Sequence, residues 1–131
     1  MAENYTYDLR MVGDIAVISL QGEKTREVGW TIWMKIRKDI EEQKLSKVLI
    51  LDEMEDKTTA MDIVDIQKRL AQGGFPTAVR IAIMDVRRGE SDNNNAFGET
   101  VAVNRGWEHI RVFENTERAL AWLNGKVQPP R

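Results

Sequence analysis

Tyr5, Tyr7, Leu9 and Met11 alternate with Thr6, Asp8 and Arg10, the two-residue period of a strand with one buried face. Gly13-Asp14 separates that run from Ile15–Leu20 (IAVISL), and two β-prone runs around a glycine turn predict a hairpin. After a polar exit, QGEKTREVG, the period becomes helical from about Glu27 to Lys44. Gly29, Ile32, Trp33, Ile36 and Ile40 share one face there, and Thr25 is placed to cap the helix. Lys47–Leu51 (KVLIL) is a short unbroken apolar run, as expected of a strand covered on both faces. A second helix, capped by Thr58 or Thr59, runs to about Gln72, buries Ala60, Ile63, Ile66 and Leu70, and stops at Gly73-Gly74. Val79–Asp85 is another strand. The polar loop VRRGESDNNN leads to a weaker helix, roughly Asn93 to Asn104, in which Gly98 costs about 1 kcal/mol of helix propensity. EHIRVF is a last short strand, followed by a helix capped by Asn115, with Ala119, Leu120 and Leu123 inward and Gly125 as its stop. The order β-β-α-β-α-β-α-β-α predicts an α/β sandwich: a mixed sheet, parallel in its later part, with helices packed against it. The pattern makes residues 1–125 one domain and 126–131 a flexible C-terminal tail.

Composition narrows the function. At 131 residues the chain is long enough to bury a core, and 42% hydrophobic with 31% charged residues is a globular balance. A net charge of −2 supplies no general attraction to nucleic acid or an anionic membrane. Cysteine is absent, which removes thiol catalysis, thiolate metal sites and disulfides, and agrees with a reducing compartment. MAENYTYDLR has neither a basic nor an apolar leader region, and no apolar run approaches the roughly 20 residues that span a bilayer. The expected location is the cytoplasm.

Three stretches resemble the SpoIIAA-like family of the STAS superfamily, whose founding members are bacterial anti-sigma-factor antagonists. They are GDIAVISLQGEKT (13–25), KVLILDEME (47–55) and RVFENTERALAWL (111–123). The aromatic-ended strand entering an Ala-Leu-Ala-Trp-Leu helix is the most telling. The resemblance covers nearly the whole chain in element order, and its motifs are structural. It implies a STAS-type sandwich acting through contacts with other proteins, and a kinship in shape with Sec14-type lipid-binding domains. In regulatory members a Ser or Thr of an Asp-Ser-Ser/Thr-Gly stretch at the start of the second helix is phosphorylated. Here Asp56-Lys57-Thr58-Thr59-Ala60 stands near that place, with the hydroxyls but without the glycine.

Four groups of residues are candidate sites. Asp52, Glu53, Glu55 and Asp56 form an acidic stretch that reads as a solvated turn; its spacing matches no EF-hand, and no metal or cofactor is expected. Thr58 and Thr59 are either a helix cap with its neighbour or phosphoacceptors at a helix start. Arg87, Arg88, Ser91 and Asn93 follow a strand that should be parallel, at the sheet edge where α/β proteins hold ligands, and could bind an anion. Trp30 and Met34 lie off the main stripe of their helix; partial cover is the ordinary reading, and an apolar pocket or a homodimer contact is the functional one. Catalysis has little to work with: one histidine, His109, and no nucleophile elbow, P-loop, dinucleotide fingerprint or zinc motif. The expectation is a non-enzymatic interaction module, acting through a protein partner near the second helix start. The alternative is a carrier or sensor of a small amphipathic or anionic ligand, recognisable by an apolar pocket with a few convergent polar groups.

Overall fold

The structure is a computed structural model that describes residues 4–85 and 94–125. Its elements are β1 (Tyr5–Val12), β2 (Ile15–Lys24), α1 (Arg26–Gln43), β3 (Lys47–Asp56), α2 (Ala60–Gly73), β4 (Arg80–Asp85), α3 (Asn94–Asn104), β5 (Ile110–Phe113) and α4 (Thr116–Leu123). The predicted order holds throughout. One five-stranded sheet runs β1-β2-β3-β4-β5, antiparallel between β1 and β2 and parallel thereafter.

Strand parity divides the core. Ala16, Ile18 and Leu20 of β2, Val48, Ile50 and Met54 of β3, and Ile81 and Ile83 of β4 face one way. They pack with Val28, Ile32, Ile36 and Ile40 of α1 and Ile66 and Leu70 of α2. Ile15, Val17, Leu49, Ala82, Met84 and Phe113 face the other way, beneath Ala119, Trp122 and Leu123 of α4. Both faces of the central strands are thereby removed from water, as the unbroken KVLIL run predicts.

The caps follow the sequence. Thr25 accepts from the Val28 N–H at 3.2 Å, and Asn115 from the Arg118 N–H at 2.8 Å. Thr59 caps α2 in a reciprocal box with Asp62, and Gly74 closes that helix with φ 78°.

The acidic stretch requires a correction. Asp52–Asp56 is not a turn: β3 continues through it, paired in parallel with Leu20–Lys24 of β2, a segment equally misread as a polar exit. Backbone hydrogen bonding carries both strands past the point where their side chains turn polar. Alternation then sorts the carboxylates. Glu53 and Glu55 are exposed, whereas Asp52, Met54 and Asp56 turn towards the α1–α2 side.

Candidate functional site

The extended ends of β2 and β3 bring opposite charges together. Lys24 Nζ lies 3.2 Å from Asp52 Oδ2 and 3.5 Å from Asp56 Oδ2, with all three side chains mostly buried. Burial would pull the Lys24 ammonium down, but the two carboxylates outweigh it and hold the group above its ordinary 10.5. The other Asp52 oxygen accepts the Met54 N–H at 3.0 Å. Asp56 Oδ1 receives both the backbone N–H of Thr58, at 2.9 Å, and the Thr58 hydroxyl. Thr58 is consequently buried, at 9% exposure, while Thr59 is exposed and committed to its capping box.

Beside this cluster a cleft opens between the sheet and the pair α2–α3, with a cavity volume of about 90 Å³. Ile83, Ile110 and Val112 form its floor. Ile63, Ile66, Gln67 and Leu70 of α2 and Gly98, Glu99 and Ala102 of α3 form its walls, and Lys24, Asp56 and Thr58 line it as well. Three aromatic rings complete it: Trp33 stands edge-on to Phe75 at 5.8 Å between centroids, and Trp107 lies 6.0 Å beyond. Behind them His109 stacks on Phe75 at 6.4 Å, its imidazole held below the usual histidine range by burial, against a backbone hydrogen bond with Pro76. Gly29 lets α2 approach α1, since a Cβ there would meet the Ile66 methyl at 3.3 Å.

Two polar side chains within the walls stand out. Gln67 donates from Nε2 to the Gly98 carbonyl at 2.9 Å, which fixes its amide orientation, and its Oε1 is buried with no hydrogen-bond partner among the described residues. Glu99 accepts the Val112 N–H at 2.7 Å, tying α3 to β5.

The structure thus brings Thr58 to the cleft and leaves Thr59 beside it. Trp30 and Met34 are half-buried against the core, Trp30 beneath the Arg69 guanidinium at 5.7 Å, and neither lines the cleft. Arg87, Arg88, Ser91 and Asn93 lie outside the described residues, as does the 126–131 tail. Among the described residues no group of three or more acidic or histidine side chains is arranged to hold a metal ion, and no helix is long and apolar enough to cross a membrane. Lys24, Gln67 and Glu99 were missed from the sequence. Gln67 carried a signal, a polar residue on the Ile63-Ile66-Leu70 stripe where an apolar one is expected.

No family model and no curated protein matches the chain. A crystal structure does: an uncharacterized protein of the DUF3478 family from Shewanella loihica PV-4, described as having a SpoIIAA-like fold. It is 18% identical over 94% of this chain and 98% of its own, with a TM-score of 0.52. The fold is SpoIIAA-like. The Bacillus cell-fate determinant SpoIIAA in its phosphorylated form is also similar, at 15% identity over 88% of this chain and 96% of its own, with a TM-score of 0.49. In the SpoIIAA-like frame found here, the cleft lies against the sheet face that α1 and α2 cover, with its charged cluster at the carboxyl ends of β2 and β3.

Proposed function

We propose that this chain is a non-enzymatic STAS-type module of the cytoplasm that binds a small amphipathic molecule in the cleft between its sheet and α2–α3. The observation that carries this reading is the cleft itself, an apolar body bounded by aromatic rings with a few polar groups converging on it. The start of α2 supports a phospho-switch less well. A phosphate on Thr58 would break its hydrogen bond to Asp56 and set a dianion against that carboxylate. On Thr59 it would displace the Asp62 N–H from the cap and face the Asp62 carboxylate.

A second reading, docking of a protein partner on the first turn of α2, is favoured by Met61, which is 75% exposed beside the exposed Ala60 and Thr59. Native mass spectrometry of protein purified from its own host, repeated after denaturation, separates the two. The expected result is a small non-covalent mass that denaturation removes. A bare chain would transfer the weight to the α2 surface, and a covalent phosphate on Thr58 or Thr59 would restore the switch.

A further inference from the structure

The ligand-binding reading can be taken one step further, because the polar groups of the cleft have a sign. Among the described residues the charged side chains on its wall are Lys24, Asp56 and Glu99. Lys24 is already engaged on both sides by Asp52 and Asp56. An arriving anion would have to draw that ammonium away from two carboxylates in a place with little water to replace it, so the one cation on the wall is a poor anion site. Glu99 is placed differently. Its Oε2 accepts a single backbone N–H, from Val112, and no cation pairs with it among the described residues.

Gln67 points the same way. From α2 it is bonded through Nε2 to the carbonyl of Gly98, the residue preceding Glu99 on α3, and both Gln67 and Glu99 line the cleft. The buried Oε1, without a partner among the described residues, is an acceptor in want of a donor, and buried acceptors are normally satisfied. The rings of Trp33, Phe75 and Trp107 line the cleft as well and supply an apolar wall for the body of a ligand. We propose that the cleft selects an apolar molecule bearing a protonated amine, with the Glu99 carboxylate as its counter-ion and Gln67 Oε1 as an acceptor for its N–H.

The test uses the full chain and three probes with one tail: octylamine, octanol and octanoate, at neutral pH. Binding is followed by NMR through the indole signals of Trp33 and Trp107, with Trp122, on the opposite face of the sheet, as the internal control. Octylamine should bind about tenfold more tightly than octanol, the typical gain of a hydrogen bond to a charged group, and octanoate more weakly than either. E99Q, which keeps an oxygen for the Val112 N–H, should remove most of the amine's advantage over octanol. If octanol or octanoate equals the amine, or the amine's advantage survives E99Q intact, the head-group assignment falls while the cleft stands. If no probe moves Trp33 or Trp107, the ligand-binding reading falls and this inference with it. The ranking on the unmodified protein decides the matter even if E99Q fails to fold.

Discussion

Lys24 shows how one side chain sets the character of a site. It joins two strands at the point where both turn polar, and it neutralises carboxylates that would otherwise repel each other across β3. K24M should therefore destabilise the fold by about 3 kcal/mol, because it removes the ammonium from a mostly buried ion pair with Asp52 and Asp56. Urea denaturation at neutral pH measures this. A raised ammonium contributes stability that is fully present below its ordinary value and is lost as pH rises through its folded value. The gap between K24M and the parent should accordingly begin to close above pH 10.5. His109 carries the opposite dependence. Burial beside Phe75 and Trp107 disfavours its charged form, so its contribution is present above 6.5 and declines as pH falls below that value. Between pH 7.5 and 5.5 the parent should lose more stability than H109Q; equal losses would show that His109 does not sense acid.

At the scale of elements, most of the fold was legible because its periods are clean. The α1 stripe of Ile32, Ile36 and Ile40, the alternation of β1, the Thr25 and Asn115 caps and the Gly73-Gly74 stop each name an element with little competition. The ends of β2 and β3 were not legible, and the reason is physical. A charge run is read as solvated unless its partner is known, and the partner of Asp52 and Asp56 lies 28 and 32 positions earlier, on another strand. Two-residue alternation was present in Asp52-Met54-Asp56, but single-residue polarity outweighed it. In α3, Gly98 was seen only as a weakness. A Cβ there would meet Ile63 at 3.7 Å and the Gln67 amide at 3.8 Å, ordinary contact distances inside the cleft. G98A should therefore stabilise the protein by up to about 1 kcal/mol in a thermal melt while weakening ligand binding, since the new methyl takes up cleft volume. A variant that gains stability and binds as before would place the ligand elsewhere.

The site emerges only at the scale of the whole molecule. Its wall draws on β2, α1, β3, α2, β4, α3 and β5, so no local window of sequence contains it, and even the informative Gln67 marks an anomaly without saying what surrounds it. The sheet that gathers these pieces has a simple plan: each strand is bonded to its own predecessor in the chain. During synthesis the sheet can therefore grow in one direction as the polypeptide emerges, the β1–β2 hairpin first and each later strand adding to an edge already formed. The cleft is completed late in such an order, ahead only of α4 on the opposite face, because Glu99, Trp107 and the floor residues Ile110 and Val112 arrive after most of the core beneath α1 and α2 is in place. A nascent chain could thus be largely folded and still lack the cleft, and if the cleft holds a ligand as proposed, its occupancy would mark the difference between a finished molecule and one still attached to the ribosome.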